Sequence, residues 1–184
     1  MTDDRTQREL MLAGEPYLPD DPELVAACAA AQRLAADYNG AREVVRPAIL
    51  RELLGHVGED VEIRPPLYVD YGAHLSIGDR VFVNFGLTAL DCARITIGSD
   101  TQIGPHVQLL TPTHPLDPAQ RRAKIEGAAP ITIGANVWLG GGVIVLAGIT
   151  IGDDSVIGAG SVVTRDVPPG VVAVGNPARV IRTL

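Results

Sequence analysis

Branched aliphatic residues at Ile133, Leu139, Val145, Ile151, Ile157 and Val163 follow one another at intervals of six without a break. The residue four places after each is again small or branched: Val137, Val143, Ile149, Ser155, Ser161 and Val167. A helix repeats every 3.6 residues and a simple strand every 2, so neither accounts for this period. A coil of three short strands and three tight corners does. Each hexapeptide forms one side, and the branched residue points inward. Gly, which follows the main apolar position at Gly134, Gly140, Gly152 and Gly158, or Asn and Asp, supplies the unusual backbone angles near each corner. Eighteen residues then complete one turn, and successive turns stack at the strand spacing of roughly 4.8 Å.

The same beat runs earlier with slips. Ile63 and Val69, Ile77 and Val83, and Ile97 and Ile103 are each six apart, and Leu109 continues the series. The gaps between these pairs are each a multiple of six plus two, so a two-residue insertion at a corner keeps the inward face inward. The beat stops over residues 111–130, which carry four prolines before the restart and the charges of Arg121, Arg122, Lys124 and Glu126. Because Ile103 and Ile133 remain in register, this segment reads as a loop extruded from a continuous prism over 57–184, with a C-terminal tail from 168.

Residues 1–56 read instead as a helical cap. Asp21-Pro22 is a helix start, the carboxylate capping free N–H groups and the ring preset for the first turn. Leu24, Cys28, Ala31, Ala35 and Tyr38 then draw one apolar stripe at steps of three and four. Asn39-Gly40 is expected to end that helix in a left-handed backbone. A shorter helix is expected from Pro47 to Leu54, stopping at Gly55, and a further turn or two between Thr6 and Leu12.

Composition sharpens the fold class to mostly β. Only seven of the 184 residues are aromatic, so small branched side chains must build the core. The net charge of −7 is carried entirely by residues 1–70, and no basic stripe suited to nucleic acid is present. Gly127 to Gly152 is uncharged and long enough to cross a bilayer, but its seven glycines and its short period argue against a membrane helix. The start of the chain lacks the basic and apolar runs of a signal peptide. Cys28 and Cys92 are too isolated for a disulfide framework or a zinc ribbon. A cytoplasmic protein that engages neither nucleic acid nor membrane is expected.

The hexads, together with the opening MLAGEPY, the loop TPTHPLD, the run ITIGANVWLGGG and the ending VVAVGNPARVIR, resemble the maltose and galactoside O-acetyltransferases, with their nodulation-type relatives. These are hexapeptide-repeat acyltransferases, and the resemblance runs nearly end to end. It implies a left-handed parallel β-helix, acetyl-CoA as co-substrate with no metal required, a sugar acceptor, and a homotrimer with active sites between neighbouring prisms.

His114 stands in the loop that breaks the repeat, where no core role needs an imidazole. It is the candidate general base that takes the acceptor hydroxyl's proton near neutral pH, for direct transfer within a ternary complex. His56, His74 and His106 read as surface or corner residues. Asn84 and Asp91 interrupt apolar runs where a structural prism would prefer Val or Ala, although Asn also accepts turn backbones readily. Glu126 could orient His114 or a substrate hydroxyl. By resemblance, Asn84, Asp70 and Phe82 match acceptor-contacting positions. Asp70 replaces a serine of the galactoside enzymes, and a second acidic contact of theirs falls on Cys92, which places the chain nearer the maltose and glucose side. Asp20 and Asp21 fall where the family's head approaches the sugar, though capping already accounts for Asp21.

Gly140-Gly141-Gly142 after Trp138, and Ala159-Gly160 on the next coil, offer backbone access and no bulk. By resemblance Gly141 and Ala159 line the pantetheine arm and Trp138 closes its inner end. Thr164, Arg165, Arg179 and Arg182 match the positions that receive adenine, ribose and phosphates, a role that suits the arginine fork. Three readings compete with a maltose- or glucose-type acceptor: another hydroxyl acceptor such as a xenobiotic or cell-surface saccharide, a zinc centre of the gamma-type carbonic anhydrase kind built from His74, His106 and His114, and a non-catalytic scaffold. Cys92, without an adjacent base, reads as a buried small residue and not a covalent carrier.

Overall fold

The structure, a computed structural model, describes residues 4–184. Helix α1 (Gln7–Ala13) starts at Thr6, whose hydroxyl accepts from the Glu9 backbone while the Glu9 carboxylate accepts from the Thr6 N–H. Helix α2 (Pro22–Gly40) is capped by Asp21 and buries Leu24, Ala31, Ala35 and Tyr38. It runs through Gly40 to a C-cap at Ala41, and neither Asn39 nor Gly40 adopts a positive φ. Asn39 instead splices the helix end onto the β structure. Its amide donates to the Leu67 carbonyl and accepts from the Leu67 N–H. Helix α3 (Arg46–Leu53) lies one residue earlier than expected and seats Leu50 and Leu53 in the core.

From His56 onward the chain coils. A first sheet takes one side of each turn at His56–Val57, Leu75–Ile77, Ile95–Ile97, Ile131–Ile133 and Thr150–Ile151. A second takes the next side at Glu62–Ile63, Phe82–Val83, Gln102–Ile103, Trp138–Leu139, Val156–Ile157 and Val171–Val174. A third closes the triangle at Leu67–Val69, Leu87–Leu90, Gln108–Leu110, Ile144–Val145 and Val162–Val163. All neighbours in these sheets are parallel, and every hexad residue from Ile63 to Val163 is buried. Their partners four places on, from Val137 to Val167, are buried too, so each side of the triangle contributes two inward positions. This is the left-handed parallel β-helix of hexapeptide-repeat proteins. Where the inward residue is Thr101, Ser155 or Ser161, its hydroxyl is hydrogen-bonded to the backbone.

The corners divide their work in a way the sequence reading merged. The glycines directly after the apolar positions, such as Gly140, do not supply left-handed angles; they allow one coil to lie directly on the next. A Cβ on Gly140 would sit 2.5 Å from the Ala159 nitrogen. Left-handed backbone falls two residues later, at Asp100, Asn136 and Asp154 on one edge and at Gly142 and Gly160 on another. Residues 168–184 do not trail away. Arg179–Thr183 folds back antiparallel to Val171–Val174 and extends the second sheet to seven strands. The extruded loop is closed by an antiparallel bridge of Pro112–Thr113 with Gly127–Ala128 and carries a short helix, Pro118–Arg122.

Candidate active site

Two stripes of chemistry run along the prism. The first follows the corner between the third and first sheets. Asp70 follows the third-sheet strand of the first coil, Asp91 that of the second, the His114 loop that of the third, and Thr164 and Arg165 that of the fifth. His114 is exposed, its side chain retaining 60% accessibility, and its Nδ1 lies 3.8 Å from Glu126 Oε1. Glu126 is held from the head of the chain. The Tyr17 hydroxyl donates to Glu126 Oε2 at 3.0 Å, and the two backbones exchange N–H···O bonds in both directions. Tyr17 is buried with Met11, Leu24, Cys92 and Ala93, so the cap packs against this corner.

Below Glu126, the Cys92 thiol donates to Asp70 Oδ2 at 3.4 Å. Burial pushes the Asp70 carboxyl above the usual carboxylate range, with the charges of Asp91 and Glu126 adding to the effect and the Cys92 contact opposing it. Burial first, and the Asp70 charge after it, also raise the Cys92 thiol, so this cysteine is no thiolate nucleophile. Burial likewise raises the phenols of Tyr17 and Tyr71.

Asp91 corrects the sequence reading. It is fully buried, and its Oδ1 accepts from the backbone N–H groups of Asp70 and Tyr71 while Oδ2 accepts from that of His74. The carboxylate is occupied by main chain and presents no edge to a ligand; it fixes the 70–74 corner and thereby places Asp70. His74 is not a surface residue either. Its Nδ1 donates to the Asp91 carbonyl at 2.7 Å, which leaves Nε2 as a buried acceptor without a partner. His106 sits at a different corner with φ 58°, its ring over Gly86. The three histidines of the zinc reading therefore occupy three separate places, and no group of three or more metal-binding side chains is found among the described residues.

The second stripe lies on the second sheet. Register places Phe82, Gln102, Trp138, Val156, Val172 and Arg182 in one outward row. Two residues on, the backbone bonds stack Arg64, Asn84, Gly104, Gly140, Gly158 and Val174, with Arg179 opposite Val174. Three glycines in succession leave a trough beside the exposed Trp138 indole. The trough deepens into a groove of about 430 Å³ lined by Phe82, Asn84, Trp138, Gly141 and Ala159 among others. Arg182 stands three strand spacings from Trp138, about 14 Å. A long thin arm ending in phosphates fits this outline, with bulk excluded along the trough and two guanidinium groups at its far end. Asn84 stacks on no other Asn; its Oδ1 accepts from the Phe85 N–H.

The structure thus brings Phe82, Asn84, Trp138, Gly141 and Ala159 together in one groove, with Arg179 and Arg182 on the same face. Asp70, His114 and Glu126 meet at another corner, with Thr164 and Arg165 farther along it. Sequence reasoning misses Tyr17, although an isolated aromatic in a chain with seven aromatics is a signal. The Cys92–Asp70 contact carries no sequence signal, being a pairing across two coils.

Two family models match the chain: the maltose acetyltransferase hexapeptide capping motif over residues 10–58 and six bacterial transferase hexapeptide repeats over 130–165. Nodulation protein L of Rhizobium meliloti (strain 1021) is 51% identical over 96% of this chain and 98% of its own length. The crystal structure of a maltose O-acetyltransferase from Clostridium difficile 630 superposes with a TM-score of 0.97 at 43% identity, covering 99% of both chains. A galactoside acetyltransferase in complex with coenzyme A superposes with a TM-score of 0.94 at 39% identity, covering 98% of this chain and 92% of that one.

Proposed function

The chain belongs to the maltose and galactoside O-acetyltransferase family of hexapeptide-repeat acyltransferases, with acetyl-CoA as co-substrate, and on that premise we propose that it acetylates a hydroxyl of a maltose- or glucose-type sugar with His114 as general base. The observation that carries the reading is the chain of contacts Tyr17–Glu126–His114. It fixes Glu126 through the Tyr17 hydroxyl, sets that carboxylate 3.8 Å from the imidazole, and leaves His114 exposed. His114 takes the hydroxyl proton as the sugar oxygen bonds to the acetyl carbon. The same proton then goes to the thioester sulfur as the carbon–sulfur bond breaks. Asp70 and Asn84 hold sugar hydroxyls, and Phe82 offers a face to the ring. Along the trough, Gly141 and Ala159 receive the pantetheine arm and Trp138 flanks its inner end. Arg179 and Arg182, with Thr164 and Arg165 of a neighbouring copy, take the nucleotide end.

This site needs more than one chain, because the two stripes lie on different parts of the prism. Each stripe begins with acceptor residues in the lower coils and ends with coenzyme residues in the upper ones. We therefore assign the catalytic unit to the junction of two copies with parallel axes in a homotrimer. A cytoplasmic location suits an enzyme that draws on acetyl-CoA, and no helix among the described residues is long and apolar enough to cross a membrane. The test is thiol release from acetyl-CoA over glucose, maltose and galactosides. His114→Ala should lower kcat by roughly 10²–10⁴; turnover equal to the native chain removes the assigned role.

A further inference from the structure

A cavity of about 720 Å³ lies apart from both stripes. It lies between the helical cap and the first coil, bounded by Tyr38, Arg46 and Arg51 on the cap side and by Glu62, Arg64 and Phe85 on the coil side. Its size falls within the range of pockets that enclose a sizeable small molecule, ~300–1,000 Å³. It is contiguous with the acceptor end of the groove through one side chain. The Arg64 guanidinium stands 4.9 Å from the Phe82 ring, which lines the groove, and 5.5 Å from the Phe85 ring, which lines the cavity. Arg64 is also the neighbour of Asn84 one coil below, through its N–H to the Val83 carbonyl.

The lining chemistry is distinctive. Its charges balance, three arginines against Glu43, Asp60 and Glu62. Among the described residues only Arg64 and Glu62 are paired, at 3.0 Å. Arg46 and Arg51 make no ion pair among the described residues, and Arg46 Nε is buried with no hydrogen-bond partner. Phe85 remains half exposed beside them. A phosphate or carboxylate ligand would meet as many acids as bases here, and an apolar one would strand the buried donor. Hydroxyl groups, which donate to carboxylates and accept from guanidinium groups at once, satisfy both sets, while a pyranose ring can lie against Phe85.

We propose that this cavity is a second saccharide subsite, one that holds the non-reacting rings of an oligosaccharide acceptor while its terminal ring reaches Asn84 and Phe82. The inference rests on the O-acetylation reading and narrows its acceptor to a neutral oligosaccharide of two to four rings. With the full chain and saturating acetyl-CoA, kcat/KM should rise by about tenfold or more from glucose to the trisaccharide in either the α-linked or the β-linked glucose series. That rise is the yield of one or two net hydrogen bonds and a stacked ring. Phe85→Ala and Arg51→Gln should each collapse the trisaccharide-to-glucose ratio toward one, whereas a merely structural lesion lowers both rates together and leaves the ratio standing. Saturation-transfer NMR without acetyl-CoA should show the trisaccharide bound to the native chain and not to Phe85→Ala. Turnover of glucose with a flat length dependence in both series overturns the subsite and leaves the acetyltransferase intact. So does a tenfold preference for a uronate-capped trisaccharide over the neutral one. Absence of thiol release from every sugar overturns the O-acetylation reading instead, and unaltered NMR binding in Phe85→Ala then removes the subsite as well.

Discussion

Asp70 shows how much a single position costs and what it returns. A carboxyl whose folded pKa lies above its unfolded one binds more protons in the native state, so its contribution to stability is greatest in acid. That contribution is lost as the pH rises from the ordinary value of 3.8 through the raised one. Asp70→Asn carries no charge to desolvate. Its urea midpoint relative to the native chain should therefore increase from about pH 4 upward and level off once the native carboxyl is fully ionised. A relative midpoint that falls over the same range contradicts the burial argument. Tolerating a destabilising carboxylate beside Glu126 makes sense where a ligand hydroxyl will pair with it, which is the role assigned to Asp70. Tyr17 is the complementary case. Tyr17→Phe keeps the buried ring and removes the hydroxyl that donates to Glu126 Oε2. Thermal stability should change little, while kcat drops roughly tenfold with little change in KM for acetyl-CoA, since the lost bond acts on the His114 corner and not on the trough. A variant with native kcat would leave Glu126 without a part in placing the base.

The coil owes its regularity to two separate demands at each corner, and two neighbouring glycines separate them. Gly140→Ala forces a Cβ against the Ala159 nitrogen at 2.5 Å and the Ile157 carbonyl at 3.0 Å, where only backbone could give way. Gly142→Ala meets nothing within 4 Å and suffers only for its φ of 69°. The first change should cost about 3 kcal/mol or more as overpacking against rigid main chain, the second about 1–2 kcal/mol as a left-handed alanine. At about 2–4 °C per kcal/mol for a chain this long, differential scanning calorimetry resolves the order. Thr101→Val is the polar counterpart. It removes the acceptor of the Val137 N–H inside the prism, worth about 1–3 kcal/mol. These demands explain what could be read in advance. Ile133 to Val163 announced the coil because every side repeats the same inward requirement. Asp91, Tyr17 and Asn39 did not announce their roles, because each answers one backbone or one carboxylate elsewhere. Tyr17 meets Glu126 across 109 positions of sequence, and Asn39 meets Leu67 across 28. Periodicity records what is repeated along a chain, and such contacts occur once.

The arrangement of the two stripes restricts how copies can assemble. From lower to upper coils, one stripe runs Asp70, His114, Thr164 and the other Asn84, Trp138, Ala159, Arg182. A two-fold axis perpendicular to the prism would set these orders against each other and place His114 opposite the wrong end of the trough. A rotation axis parallel to the prism keeps them aligned, and a ring closed by such rotations gives every copy one complete junction on each side. The arrangement has a kinetic signature. His114→Ala damages one stripe and Asn84→Ala the other, so each variant alone should be nearly inactive, every junction containing one defect. After the two are mixed in equal amounts, dissociated and reassembled, a junction is sound when its base comes from the Asn84→Ala chain and its trough from the His114→Ala chain. Random assembly makes that about one junction in four, so activity should return to about a quarter of the native value from two inactive parents. Were each site contained within one chain, the mixture would stay as inactive as its components, because no chain in it is whole.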